Sequence, residues 1–185
     1  MSGKALQSLA GIAPVETCRL CLRVFEPADL DALANINSDP DVMHHTGDGN
    51  PVSREETDRR LRGYIEHWRE NGFGLRAAIH KSDHALVGFC GLQFVAGRHE
   101  IEIGFRLAKK YWGQGLATEA TRAVLRHGFE VLGLERVIGL ARPANVASQR
   151  VLEKSGLKHE KNAHYYGHFV RYYAIERTEI DHIPF

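Results

Sequence analysis

The sequence predicts a mixed α/β domain: a central mixed sheet of about seven strands flanked by about four helices. Three observations carry this. Strand-like segments follow one another from Gly74 to Leu107, which favours antiparallel pairing. A strand–helix–strand unit then runs from Glu100 to Ala141 and demands a right-handed parallel crossover. Amphipathic helical stripes occur both before and after these strands, so helices are needed on both faces of the sheet.

The elements follow in order. Thr17 to Phe25 alternates Leu20, Leu22 and Val24 with Arg19, Cys21 and Arg23, the period of a strand. Asp29 to Asn37 reads as a short helix with Leu30, Leu33, Ala34 and Asn37 near one face. Asp39-Pro40 looks like a cap followed by proline at a first helical position. His44 to Pro51, with two glycines, an asparagine and a proline, reads as loop. Ser53-Arg-Glu-Glu56 has the form of a capping box. It opens a helix to Asn71, which Gly72 closes. Gly74 to His80 and Leu86 to Val95 read as two strands joined by the turn Lys81–His84, and Glu100 to Leu107 as a third. Gly115 to Leu132 is the strongest helix, with Leu116, Ala120, Ala123, Val124, His127, Val131 and Leu132 in one stripe. Arg136 to Ala141 is a strand. Asn145 to Ser155 is a helix closed by Gly156, and Leu157 to Tyr166 with Val170 to Ile180 form a final hairpin.

The chain has 185 residues, the size of one domain. Residues 1–16 read as a flexible leader and 17–185 as a single domain. Lys and Arg number 24 against 23 Asp and Glu, a net charge of +1. A duplex-binding protein usually shows a basic excess, so nucleic acid is not an expected partner. The longest uncharged run, Ala85 to Gly97, is broken by glycine and far shorter than the roughly 20 residues of a membrane span. With no signal-peptide core, a cytoplasmic location is expected. Cys18 and Cys21 form a C-x-x-C pair, but residues three apart on a strand point to opposite faces. No second ligand pair follows, so they read as unconnected thiols, and no metal is expected.

Chemistry concentrates at Lys110-Tyr111-Trp112-Gly113-Gln114-Gly115, between a strand and the strongest helix. Two glycines let the backbone approach an anion closely. The unpaired amides of the first helical turn and the positive end of the dipole then face it. A Walker loop is excluded because no G-K-[ST] follows. A dinucleotide fingerprint is weakened because its third glycine falls on Thr118 and its strand comes late in the chain.

Asn145 and Ser148 open the next helix as N-x-x-S, followed by Leu152-Glu-Lys-Ser-Gly156-Leu157. From Glu100 to Leu157, "EIGF", "YWGQGLATEA" and "VLEKSGL" together resemble the GNAT superfamily of acetyl-CoA-dependent N-acetyltransferases. The likeness is greatest to the branch that acetylates the N-termini of ribosomal proteins (RimJ/RimL-like). The early "LCLRVFEPADLDAL" and "NINSDPDVMHHTG" are similar to that branch's opening. One departure is Lys110, where the family loop usually has Gln or Arg; lysine supplies a cation but not a planar fork.

The resemblance implies a GNAT fold with a splayed sheet and acetyl-CoA as cosubstrate. The loop Lys110, Gly113, Gln114 and Gly115 and the amides of Leu116, Ala117 and Thr118 would hold its diphosphate. Phe105, Arg106 and Leu107 would hydrogen-bond the pantetheine arm as an added strand does, and Asn145 would bond the same arm. The thioester would lie where the strands ending near Leu107 and Ala141 splay, with a strand amide stabilising the oxyanion. Glu102 is the candidate base, with Glu100 in reserve on the same face. The family's acid tyrosine falls on Leu152, so Ser148 is the candidate proton donor. Tyr165, Tyr166, Tyr172 and Tyr173 are candidates for lining the acceptor groove but carry no assigned role. By resemblance, the His44-His45 loop borders the acceptor site. Dimers are common in the family, which leaves a homodimer open by analogy.

At neutral pH an α-amine is neutral in roughly one molecule in ten and a lysine in roughly one in 2,500. An α-amine acceptor therefore tolerates a weak or water-relayed base. Three functions stay open: acetylation of a protein N-terminus, acetylation of a small amine such as a polyamine or aminoglycoside, and a non-catalytic coenzyme A-binding module. Asp39, Asp41 and Asp48 would serve the second by forming an acidic cradle.

Overall fold

The computed structural model describes Leu9 and residues 11–182; residues 1–8 and 10 of the expected leader lie outside it. Eight strands form one sheet: β1 (Val15–Glu16), β2 (Leu20–Val24), β3 (Leu75–His80), β4 (Leu86–Phe94), β5 (Ile101–Leu107), β6 (Arg136–Ala141), β7 (Lys158–Tyr165) and β8 (His168–Glu176). Five α-helices accompany them: α1 (Leu30–Asn37), α2 (Pro40–Met43), α3 (Arg54–Asn71), α4 (Leu116–Glu130) and α5 (Val146–Lys154). The strand order is β1-β2-β3-β4-β5-β6-β8-β7. Only β5 and β6 run parallel, as the crossover through α4 requires.

Two elements go beyond the sequence reading. Val15 and Glu16, at the end of the expected leader, pair with Leu22 and Cys21 as an edge strand. The last strand begins at His168 and ends at Glu176, and a 3₁₀ segment takes over from Arg177 to His182.

The helix starts follow their caps. Ser53 Oγ accepts from Glu56 N–H at 3.2 Å, and Asp39 accepts from Asp41 N–H at 2.9 Å ahead of Pro40. The reciprocal half of the capping box is replaced, because the Glu56 carboxylate pairs with Arg59 and Arg60. Gly72, at φ 74°, ends α3 in the left-handed region that glycine favours.

The helices cover both faces. Leu33 of α1 and Leu61 and Ile65 of α3 pack on Phe25, Leu75, Ala77 and Phe89. On the other face, Leu116, Ala120, Val124, Leu125 and Phe129 of α4 pack on Leu22, Ala78, Cys90, Leu92 and Ile103. Each wholly buried leucine, such as Leu125, contributes on the order of 1.5–3 kcal/mol. A third cluster, with Val95, Ile138, Tyr165, Val170 and Tyr172, fills the far end of the sheet. Cys18, Cys21 and Cys90 are all free thiols. Among the described residues no helix is long and apolar enough to cross a membrane.

The seam between β5 and β6 positions the site. β4 and β5 pair along seven positions, from Gly88 with Leu107 to Phe94 with Ile101. β5 and β6 share a single register pair, Glu102 with Ile138. Beyond that rung the two strands diverge towards Leu107 and Ala141, as the resemblance predicts.

Candidate active site

A 3₁₀ turn, Lys109–Tyr111, follows β5 and leads through Gly113 (φ 74°) and Gly115 (φ 79°) into α4. Both glycines occupy the left-handed region, where a Cβ is strained. A Cβ at Gly113 would meet no protein atom within 4 Å, and one at Gly115 only Arg19 Nη2 at 3.6 Å. Backbone conformation, not crowding, therefore demands glycine here. The first helical bond runs from Glu119 N–H to Gly115 O, and Gly115 gives no side-chain cap. The amides of Leu116, Ala117 and Thr118 are left as the unpaired donors of a helix N-terminus, which suits an anion.

Side chains brace this loop. Trp112 Nε1 donates to Leu107 O at 2.7 Å, and Gln114 Nε2 donates to Lys110 O at 2.9 Å. Arg19, which sequence reasoning passed over, donates to Gln114 O at 2.8 Å and pairs with Glu119 at 2.6 Å. Nothing local signals this role, since Arg19 lies some hundred residues upstream. Lys110 Nζ folds back over the Tyr111 ring, 4.6 Å from its centroid.

A cleft of about 690 Å³ opens where β5 and β6 part. Phe105, Arg106 and Leu107 line it, with Gly113, Gly115, Leu116, Ala117 and Thr118 on the α4 side and Asn145 and Ser148 on the α5 side. Val42, His44, His45 and Thr46, from α2 and the loop after it, line it as well. Ala108 N–H bonds Val87 O on the β4 side. Strand alternation then turns the backbone groups of Leu107 and Phe105 towards the open seam. Lys110, Gln114 and Glu102 do not form its wall.

At α5, Asn145 Oδ1 accepts from Ser148 N–H at 3.0 Å and caps the helix. The Ser148 hydroxyl is not needed for capping, and it makes no hydrogen bond among the described residues while facing the cleft. Leu152 is 1% exposed, and a Cβ on Gly139 would lie 2.5 Å from its Cδ2. It belongs to the core and not to the cleft.

Glu102 sits at the root of the seam, 7% exposed. It accepts from Gln93 Nε2 at 2.5 Å and Tyr166 Oη at 2.9 Å. Burial raises its pKa, against the opposing pull of those two hydrogen bonds. Tyr166 reaches it from a two-residue hairpin loop in which Tyr166 (φ 52°) and Gly167 (φ 77°) both have positive φ, the pattern of a type I′ turn. Of the four tyrosines, this is the one at Glu102. Glu100 is instead held by Tyr165 Oη at 2.7 Å and Tyr172 Oη at 2.8 Å. Burial opposes its ionisation, but these two bonds hold its pKa below the ordinary value. Tyr173 is in the core and bonds Glu153 at 3.2 Å.

Of the three aspartates only Asp41 lines the cleft. Asp39 caps α2, Asp48 bonds Asn50, and Asp41 lies at the cleft but is paired with Lys109 at 2.5 Å. His44 and His45 pack edge to face, with centroids 4.5 Å apart. Arg142 ties this loop down by donating to Gly47 O and contacting His168 Nε2 at 3.0 Å. Arg106 Nη1 donates to Asn37 Oδ1 at 2.6 Å, joining α1 to β5.

A left-handed glycine loop on a helix N-terminus, beside a sheet opened at one parallel pair, is the architecture of an acyl-coenzyme A-dependent transferase. The sequence matches the profile of the acetyltransferase (GNAT) domain over residues 19–158, and the chain belongs to that family. It is 30% identical over 146 residues to the uncharacterized N-acetyltransferase YnaD of Bacillus subtilis, covering 79% of this chain and 83% of the relative. The crystal structure of a GNAT-family acetyltransferase from Bacillus anthracis superposes with a TM-score of 0.77 at 30% identity, covering 90% of this chain and 99% of that one. RimL, the ribosomal L7/L12 alpha-N-protein acetyltransferase, solved with coenzyme A, shares the fold at 19% identity and a TM-score of 0.74, over 88% and 97% of the two chains. The protein is an acetyl-CoA-dependent N-acetyltransferase, and the cleft offers the donors that a diphosphate requires.

Proposed function

We propose that the acceptor is the α-amine of a protein N-terminus, of the kind presented by ribosomal proteins. The observation that carries this reading is the fate of the three aspartates. A site for a polyamine or aminoglycoside needs several negative charges at the cleft, and here Asp41 alone of Asp39, Asp41 and Asp48 lines it, already paired with Lys109. Glu102 is then the buried carboxylate at the seam. One carboxylate suffices for an α-amine, which is already partly neutral at pH 7.

The residue roles follow from placement. The amides of Gly113 to Thr118, with Lys110 and Gln114 completing the loop, hold the diphosphate. The open edge of Phe105, Arg106 and Leu107, with Asn145 opposite, aligns the pantetheine arm. When bound, acetyl-CoA supplies the acyl group as a thioester. The Glu102 carboxylate takes the proton of the acceptor ammonium through water, with Tyr166 Oη and Gln93 Nε2 both donating to Oε1 and fixing it. Its raised pKa makes it a better base than an exposed glutamate. Ser148 Oγ carries a proton for the leaving sulfur. The "EIGF", "YWGQGLATEA" and "VLEKSGL" motifs support the same branch.

Mass spectrometry of a panel of N-terminal peptides incubated with acetyl-CoA tests the acceptor. Acetylation at the α-amine is expected, with slower or no transfer to spermidine or an aminoglycoside. Transfer to small amines alone would overturn the reading.

A further inference from the structure

A second cavity, of about 250 Å³, lies between α3 and the sheet, away from the coenzyme loop. Leu75 and Gln93 are contributed by β3 and β4; Arg60, Gly63, Tyr64 and His67 by α3. At about 30 Å³ per water it holds the volume of roughly eight waters, enough for a medium side chain.

Three side chains of this cavity, His67, Tyr64 and Gln93, carry a polar atom with no protein partner among the described residues. His67 Nε2 is buried and has no hydrogen-bond partner among the described residues. Such groups normally have one. The Tyr64 hydroxyl likewise makes no hydrogen bond among the described residues, although its ring is packed against Phe25 and Phe89. Gly63 interrupts the middle of α3, where glycine is a poor helix former. A Cβ there would meet nothing within 4 Å, so packing does not require the glycine. Gln93 links the cavity to the transfer site. Its Nε2 donates to Glu102, while its Oε1 has no partner among the described residues.

We infer that this cavity receives the side chain of the acceptor's first residue and selects an uncharged one ending in a hydroxyl or carboxamide. The inference rests on the α-amine reading, since only that acceptor carries a side chain one bond from the reacting nitrogen's carbon. Tyr64 Oη offers a donor and Gln93 Oε1 an acceptor. Burial lowers the His67 pKa, so the ring beside the cavity adds no positive charge. The Arg60 charge is already met by Glu56 at 2.9 Å, so no anion is called for. A cationic side chain would be repelled by Arg60.

The test compares kcat/KM for peptides differing only in the first residue: Gln or Thr against Gly or Val. One lost hydrogen bond of ordinary strength corresponds to about a five- to tenfold change. Wild type is expected to prefer Gln and Thr by at least that factor. Tyr64→Phe should lower the Gln and Thr values about fivefold and leave their order against Val reduced. Gly63→Phe, at an exposed helix position, should bring the Gln-to-Gly ratio to about one by filling the cavity. No preference in wild type, or a preference untouched by both variants, overturns the inference. A turnover-free measurement separates this from failure of the α-amine reading. In protein saturated with coenzyme A, the His67 ring resonances should shift on adding glutaminamide and not glycinamide. Equal response to both, or to neither, sinks the cavity assignment even if peptides are acetylated. A selective shift without peptide acetylation sustains the cavity and sinks the acceptor reading.

Discussion

The two ends of the cleft are made of different material. The α4 end is backbone: two left-handed glycines, three unpaired amides and a bare strand edge. The opposite end is side chain: a histidine loop tied down by Arg142, with Glu102, held by Gln93 and Tyr166, behind the wall at the root of the seam. Main-chain donors suit a diphosphate that never varies. Side chains drawn from distant segments can be exchanged to suit one acceptor. The shared half is thus written in conformation and the specific half in residue identity.

The largest expected effect tests the backbone half. Gly115→Asp combines a strained φ with a negative charge beside the diphosphate, and coenzyme binding measured by calorimetry should weaken at least about 100-fold, the equivalent of about 2.7 kcal/mol. Since Asp tolerates the left-handed region better than most residues, charge should dominate, and Gly115→Ala should cost less. Near-normal affinity in the Asp variant would break the contrast.

Next comes Glu102→Gln, which should lower kcat about 10²–10³-fold, the range of a lost general base, while leaving coenzyme affinity unchanged. The sign of its pH dependence follows from burial. Because the carboxyl's pKa is raised above 4.5, protonation persists to higher pH, so wild-type kcat/KM falls as pH drops through that raised value. The Gln variant should lose this limb and keep only the one due to the acceptor amine. An unchanged profile would return Glu102 to a purely structural role.

Ser148→Ala should lower kcat by about tenfold, because a thiol with pKa about 8.5 leaves with little help. Its melting temperature should hold, since Asn145 makes the cap; Asn145→Ala should instead cost about 1 kcal/mol of stability. The smallest effect sharpens the backbone half from the other side. Lys110→Ala should change coenzyme affinity by no more than about threefold, because its ammonium lies over Tyr111 and is exposed to solvent screening.

This division also decides what the sequence could reveal. Gly113, Gly115, Asn145 and the stripe beginning at Leu116 act through local geometry, and their spacing showed the loop, the caps and the crossover. Glu102 was legible as a position within "EIGF", but its surroundings were not. Tyr166 reaches it across 64 residues and Arg19 reaches Gln114 across 95. No periodicity encodes such contacts. Gly167 was the available clue, because a glycine between two strand-like runs marks a tight hairpin. The Ser53–Glu56 box was half right for a related reason: Arg59 and Arg60 compete for the same carboxylate.

The lone rung at Glu102 and Ile138 has a mechanical consequence. The domain is two blades fastened by one rivet, with β1–β5 on one side and β6–β8 on the other. Tension applied across the join is carried by that rung and by the packing of α4 and α5 over it. Pulled from its ends in an optical trap, the molecule should part along this line first, and a bound coenzyme bridging both blades should raise the force required.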